Sequence, residues 1–259
     1  MKNTFILHNI NVHMENNIYI TNKPVGMTSK ECAEEIKEKY NLKKVCFCGR
    51  LDPMARGKML FLGNEMCKKM DNYKNLNKTY RFNICFGLQT DSDDPLGILE
   101  NYTTDFNFNE ISKKIVKTFD DFKGEFEQHF HKYSSIKING DPYWLHTKEN
   151  KEVIDKPKHK VKINSIKILD LLECKNEAFF DTILDQIDRI DPSHDFRQEE
   201  ISKMWNDFCF KYEENIFMLP IEINVTSGFY VRQFVRDISE KINFPLMVYD
   251  INRINIDLV

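Results

Sequence analysis

Residues 46–59 read CFCGRLDPMARGKM. A single acidic residue, Asp52, stands among glycine, proline and arginine. The ring of Pro53 pushes Asp52 away from helical geometry, so its carboxylate belongs to a loop or to the end of a strand. Gly49 and Gly57 bracket it with positions where the backbone can turn or be approached closely, and Arg50 and Arg56 place positive charge on either side. Two readings fit. Asp52 is either a solvated turn residue closing a local Asx hydrogen bond, or an ionised carboxylate facing an anionic substrate.

Outward from this loop the chain switches between two periodicities. Upstream, TSKECAEEIKEKY (28–40) opens with a capping box, Thr28 followed three residues later by Glu31, and sets Cys32, Ala33, Ile36 and Tyr40 on one helical face. The pattern predicts a helix over 29–40. Downstream, TYRFNICFG (79–87) alternates, with Tyr80, Phe82, Ile84 and Phe86 on one side and Arg81, Asn83 and Cys85 on the other. That is the pattern of a half-buried strand ending at Gly87. HKVKINSIKIL (159–169) and LPIEINVTSG (219–228) alternate too, and FYVRQFVRDISEKI (229–242) returns to helical spacing. Strands and helices mix without a strict βαβ rhythm, which predicts an α+β fold. No repeat, low-complexity tract or Gly/Ser linker divides the chain, so a single domain is expected over 1–259. Residues 175–214 interrupt the strands with acidic, helically spaced sequence and read as a helical insertion in a surface connection.

Composition narrows the function classes. At 259 residues, with 41% apolar and 30% charged side chains, the chain can bury a sizeable core. Its seven cysteines include no CxxC pair, and the N-terminus lacks a basic start followed by a long apolar run. Both features point to free thiols in a reducing, intracellular compartment, the cytoplasm or the nucleus. No second Cys/His pair lies at zinc spacing from Cys46 and Cys48, so no metal is expected. No run approaches the roughly 20 apolar residues of a membrane span. The net charge of −3 hides a segregation: Lys37 to Arg81 holds twelve Lys/Arg against four Asp/Glu, and residues 156–167 add five lysines without an acid. The compensating acid lies in 91–100 and in Glu177 to Glu200, which carries eight acids against two arginines. Such clustering suits a surface that tracks phosphates, and equally a solvated Lys-rich face.

Five segments occur in a telling order: NKPVGMTSKECAEEIK (22–37), GRLDPMARGKMLFLGNEMCKKM (49–70), NKTYRFNICFGLQTDSDDPLG (77–97), YSSIKINGDPYWLH (133–146) and SGFYVRQFVRDI (227–238). Together they resemble the TruB family of pseudouridine synthases over roughly residues 18–164 and 216–253. The resemblance implies a mixed, mainly antiparallel central sheet flanked by helices, with the catalytic cleft across the sheet. It also implies a reaction. The bond from N1 of uridine to the sugar is broken, the base rotates in the site, and it is rejoined through C5. Neither cofactor nor metal is implied, and the target nucleotide leaves its stack at a cost of a few kcal/mol. The partner would be RNA, tRNA or a T-arm-like stem-loop, bound by a monomer.

The resemblance assigns roles residue by residue. Asp52 matches the essential aspartate, acting at the sugar as nucleophile or as base. Arg232 matches the arginine that pairs with it and holds it ionised and oriented. Tyr80 matches the tyrosine that stacks on the flipped base, although alone it reads as a core aromatic on an alternating strand. Tyr230 matches a second pocket aromatic. Arg50, Lys78, Lys23 and Lys137 fall to RNA contacts, with support of the pocket as the alternative for the last two. Arg236, one helical turn after Arg232, falls to the RNA backbone.

The chain also departs from the pattern. Phe47 replaces a histidine that in relatives helps hold the RNA loop open; a phenyl ring can stack on a base but cannot make the histidine's hydrogen bonds. Phe130 and His131 replace a proline pair. The resemblance stops at INRINIDLV, where bacterial relatives continue into a small RNA-binding PUA domain, so the expectation is a catalytic domain alone. The insertion is expected to pack on that domain or to meet a protein partner through Ile201, Met204, Trp205 and Phe208. Two other classes remain: a non-catalytic RNA-binding protein of the same fold, and a nucleoside glycosidase. The latter would need a second positioned carboxylate, for which Asp91, Asp93 and Asp94 are candidates as well as an ordinary acidic loop.

Overall fold

The computed structural model describes residues 13–154 and 156–258. Strands β1 (His13–Glu15) and β2 (Ile18–Lys23) are followed by helix α1 (Ser29–Lys39). The capping box forms as its residues require: the Thr28 hydroxyl accepts from the Glu31 N–H, and the Glu31 carboxylate accepts from the Thr28 N–H. Strands β3 (Val45–Phe47) and β4 (Arg56–Gly63) flank the Asp52 loop, and helix α2 (Asp71–Lys74) leads into β5 (Lys78–Phe86). Then come β6 (Leu88–Thr90), β7 (Leu99–Tyr102), α3 (Phe108–Thr118), β8 (Gly124–His129), β9 (Lys137–Ile138), β10 (Asp141–Pro142) and α4 (Tyr143–Lys148). Strands β11 (Lys158–Ile168) and β12 (Leu172–Cys174) precede the insertion, which is helical as its spacing predicts: α5 (Asn176–Asp188) and α6 (Gln198–Cys209). Strand β13 (Ile216–Val225), helix α7 (Val231–Ile242) and strand β14 (Leu246–Ile256) complete the chain.

Ten strands join in one sheet in the order β1-β2-β4-β14-β5-β13-β11-β8, with β3 added on β4 and β12 on β13. Pairing is antiparallel except between β14 and β4, where Asn252 and Arg253 lie beside Arg56 and Gly57. That parallel contact explains Gly57. It sits at φ +110°, and a Cβ there would come within 2.4 Å of the Arg253 carbonyl oxygen.

One face of the sheet carries the main core: Tyr80, Phe82, Ile84 and Phe86 of β5 pack with Ile221, Ile223, Phe234, Val235 and Ile238. The other face was expected to be solvated, and at the end of β5 it is not. Cys85 has no exposure and lies in a second core with Met218, Met247, Phe179, Phe180, Ile183, Ile201 and Trp205. The insertion covers this face. Each large apolar side chain so buried contributes about 1.5–3 kcal/mol, enough to hold two helices in place against the entropy of their connections. Of the apolar stripe expected on α6, Ile201, Trp205 and Phe208 are buried and Met204 is half-buried. The indole N–H of Trp205 also donates to the Pro95 carbonyl at 2.8 Å. The acids Asp181, Asp185 and Asp188 lie exposed on the outer side of α5.

Candidate active site

The Asp52 loop is pinned from three sides before its carboxylate meets anything. Ser29, the first residue of α1, donates from Oγ to the Leu51 carbonyl at 2.8 Å and accepts from the Leu51 N–H at 2.9 Å. The Gly26 N–H donates to the Pro53 carbonyl at 2.9 Å, and the Ala55 N–H donates to the Asp52 carbonyl at 3.0 Å, closing the turn. Lys23 is buried beneath, its ammonium donating to the carbonyls of Met27 (2.7 Å) and Pro24 (2.8 Å). Burial lowers its pKa to about 7. Lys23 therefore supports the loop and does not reach the surface.

The carboxylate meets Arg232 at 2.8 Å, between Nη2 and Oδ2. Asp52 is 35% exposed and Arg232 only 7%, so the pair has one partner open to a substrate and one sealed behind it. Arg232 occupies the second position of α7, and its guanidinium runs inward to a second carboxylate, Asp94 Oδ2 at 3.4 Å, and to the Ser92 carbonyl at 3.2 Å. Asp94 is fixed in turn by the Ser92 hydroxyl (2.7 Å) and the Leu96 N–H (3.0 Å). Burial pushes its carboxyl up to about 6, with Arg232 opposing and Asp52 reinforcing the shift. A buried guanidinium costs too much to leave unpaired, so its position is over-determined by these acceptors.

Asp52 lies in a cleft of about 360 Å³ whose walls include Arg50, Tyr80, Tyr133, Tyr230 and Arg232. This size suits a small, mostly enclosed ligand with a few fixed polar groups. Tyr80 stands on the inward face of β5, as both of its readings require: it is 8% exposed, and it lines the cleft. Tyr230 precedes α7, and both its N–H and its carbonyl are held by the side chain of Gln128. A second depression, of about 420 Å³, lies on the outer side of α6 among Lys203, Met204, Asp207 and Lys211. It brings together no comparable set of buried charges.

Other assigned residues separate. Arg50 lines the cleft and lies 5.7 Å from the ring of Phe47, which packs edge-on to Phe61 at 6.4 Å. Lys78 lines the cleft but is buried, donating to the Leu76 carbonyl at 2.6 Å and to Ser227 Oγ at 3.2 Å. Lys137 is exposed on the small β9–β10 ribbon. Arg236, assigned to the RNA backbone, is engaged within the protein, with Asp93 at 2.6 Å and Glu100 at 3.2 Å. Arg56, one of the two cations flanking Asp52 in sequence, is paired with Asp250 at 2.7 Å.

The acidic loop after β6 is buried, contrary to its reading as an ordinary acidic loop. Asp93 sits between Arg236 and His131, whose Nε2 lies 3.0 Å from its Oδ2. Burial drives the His131 pKa well below its ordinary value, and the Tyr133 N–H donates to its Nδ1, which leaves Nε2 to carry the proton toward Asp93. Sequence reading missed Arg253 altogether. It is 1% exposed, donates to the carbonyls of Lys58 (2.6 Å) and Gly49 (3.2 Å), and places Nη1 3.5 Å from the Tyr80 hydroxyl. The available signal was its position two residues after Ile251 on an alternating strand, which points an arginine inward.

A model described as TruB family pseudouridylate synthase (N terminal domain) matches residues 37–184. The chain belongs to this family. The tRNA pseudouridine synthase B of Aquifex aeolicus (strain VF5) is 32% identical over 162 residues, which are 62% of this chain and 55% of that protein. The protein of the same name from Malacoplasma penetrans (strain HF-2) is 26% identical over 252 residues, 96% of this chain and 89% of the relative. Coverage of the relatives thus ranges from little more than half to most of their length. A chain in the crystal structure of a Cbf5-Nop10-Gar1 complex superposes with a TM-score of 0.51 at 14% identity, covering 91% of this chain and 47% of that one, and shows the shared fold. Among the described residues, no helix is long and apolar enough to cross a membrane.

Proposed function

We propose that this protein isomerises uridine to pseudouridine in a structured RNA, with the T-loop of tRNA as the substrate. The observation that carries the reading is the Asp52–Arg232 pair at 2.8 Å, its aspartate open to the cleft and its arginine sealed behind. The reaction has no net change of atoms. The C1′–N1 bond breaks, a C1′–C5 bond forms, and the proton leaving C5 is balanced by one gained at N1. Asp52 acts at the sugar, where an ionised carboxylate faces the electron-poor carbon as the base departs. Arg232 keeps that carboxylate oriented. Tyr80 and Tyr230 offer π-faces to a base removed from its stack. The names of the relatives support tRNA as the RNA. Arg50, exposed at the mouth of the cleft, takes phosphate. The protein acts as a monomer in a reducing compartment; all seven cysteines are free.

The test is pseudouridine formation on a synthetic T-arm hairpin and on full-length tRNA transcripts, read by chemical mapping. Both are expected to be modified at one uridine, the hairpin nearly as well as the tRNA. Binding of both RNAs without product would favour the non-catalytic alternative.

A further inference from the structure

The link between α5 and α6 reaches several of the segments that surround the cleft. At Gly26, which has φ +91°, an added Cβ would come within 2.6 Å of the Arg189 Cβ, so the link packs against the turn that supports Pro53. His194 lies 3.0 Å from Glu31, the capping carboxylate of α1. Asp195 pairs with Lys148 at the end of α4. The last contact is the most specific. Arg197 grips Asp91 through two hydrogen bonds, of 2.7 and 3.1 Å, and donates to the Tyr133 hydroxyl at 3.2 Å. The Tyr133 hydroxyl itself donates to Asp91 at 2.9 Å, closing a three-membered network.

Each partner of Arg197 leads to the reacting centre. Asp91 begins the acidic loop whose Ser92 carbonyl and Asp94 carboxylate hold Arg232, and Tyr133 forms part of the cleft wall. Arg197 also sits at φ +61°, a left-handed conformation that an arginine adopts rarely and keeps only where its surroundings hold it. Burial works against the Asp91 carboxylate, but the hydrogen bonds and charge of Arg197, together with hydrogen bonds from the Ile98 N–H and the Tyr133 hydroxyl, hold its pKa below the ordinary value.

We propose that Arg197 is a positioning residue: through Asp91 and Tyr133, the insertion braces the cleft wall against the Asp52–Arg232 pair. The proposal rests on the pseudouridine synthase reading above. Its reach across 106 residues makes the insertion part of the site's support.

The test uses the full chain and a T-arm hairpin under single-turnover conditions. R197Q is expected to slow pseudouridine formation by about 10- to 100-fold, the range that a small misplacement of reacting groups costs. Hairpin affinity should stay within about threefold, because exposed phosphate contacts are untouched. R197K should fall between the two, since an ammonium keeps the charge but not the two-pronged grip. Y133F should slow the reaction as well, and the R197Q/Y133F double variant should lose less than the product of the single losses. Amide exchange over residues 131–138 should quicken in R197Q. Lys203→Ala, on the exposed side of α6, should match the wild type. A wild-type rate per folded molecule in R197Q overturns the proposal, as do multiplicative losses in the double variant. If R197Q does not fold, a wild-type rate in Y133F overturns it. If the wild-type protein makes no product on hairpin or tRNA, the activity reading has failed. The exchange comparison then decides by itself whether Arg197 braces the wall.

Discussion

The Asp52 loop and the 175–214 insertion place their key side chains by different means. The loop does so locally: Pro53 fixes the turn, Gly57 admits the neighbouring strand, and Ser29 binds the backbone from a helix whose start is written in Thr28 and Glu31. The insertion does so by apolar burial over a sheet face, and only then presents Arg197 at the end of its link. Reactive geometry here depends on a few short backbone contacts, whereas its outer support depends on bulk packing. The two should therefore fail in different ways.

The largest effect is expected at the loop. Asp52→Asn is nearly isosteric, keeps a hydrogen-bond acceptor for Arg232, and removes the charge that the chemistry needs. Pseudouridine formation should fall by more than about 10³-fold while hairpin affinity stays within a few fold. The two measurements are a single-turnover rate and a binding isotherm on the same RNA. A residual rate within tenfold of wild type would break the assignment of Asp52 and leave the loop a structural turn.

In the insertion the expected loss is of stability. Trp205 has no exposure, packs on Phe180 and Phe208, and donates to Pro95. Trp205→Ala should lower the unfolding free energy by about 3–5 kcal/mol, measured by denaturant titration. It should also open Cys85, now without exposure, to thiol reagents. A loss below about 1 kcal/mol with Cys85 still protected would mean that the helices add little to the sheet they cover.

What the sequence discloses divides along the same line. Asp52, Tyr80, Tyr230 and Arg232 are legible because each lies in a short pattern beside its own turn, strand or helix start. The helix over 29–40 and the strand ending at Gly87 are legible from period and cap alone. The second burial of β5 is not, because Cys85 looks outward until α5 and α6 arrive from 90 residues downstream and more. Arg236 could not be separated from Arg232 by helical spacing. Its partners Asp93 and Glu100 lie in a loop whose burial no local pattern announces. Lys78 reads as a surface cation and Lys23 as either an RNA contact or a support of the pocket; no local pattern decides, and in the fold both ammonium groups are consumed by backbone carbonyls.

A smaller effect comes from pH. Burial raises the carboxyls of Asp94 and Asp93 to about 6. As pH falls through about 6, Asp94 takes up a proton and Arg232 loses one of its two carboxylate partners, next to Asp93 and a His131 that stays neutral. The single-turnover rate should drop about tenfold between pH 7 and pH 5. Asp94→Asn should show a lower plateau and a flatter acid limb. Stability moves the other way. With folded-state values above the ordinary 3.9 or so, these two groups contribute stability that is full below about pH 4 and lost as pH rises through about 6. Loss of rate near pH 5.5 would therefore not be unfolding driven by these carboxyls. A wild-type rate that is flat from pH 7 to pH 5 would show that Arg232 needs Asp52 alone.

The smallest effect is expected where the two regions carry opposite charge. Deleting the insertion would expose Cys85, Met218 and Met247, so its relation to RNA is better tested through charge alone. Asp181, Asp185 and Asp188 are exposed on α5, which covers the face of β5 opposite Tyr80 and the cleft. In about 0.15 M salt, exposed charges act over roughly 8 Å, so acids turned away from the bound backbone are screened. Replacing all three by Asn should change hairpin affinity by less than about twofold and stability by about 0.5 kcal/mol or less. Arg50→Gln, one charge at the mouth of the cleft, should outweigh all three. It should weaken binding and reduce the slope of log affinity against log salt by about one. A gain of tenfold or more from the triple Asn variant would place the acidic face against the RNA. The insertion would then act as an electrostatic filter as well as a brace.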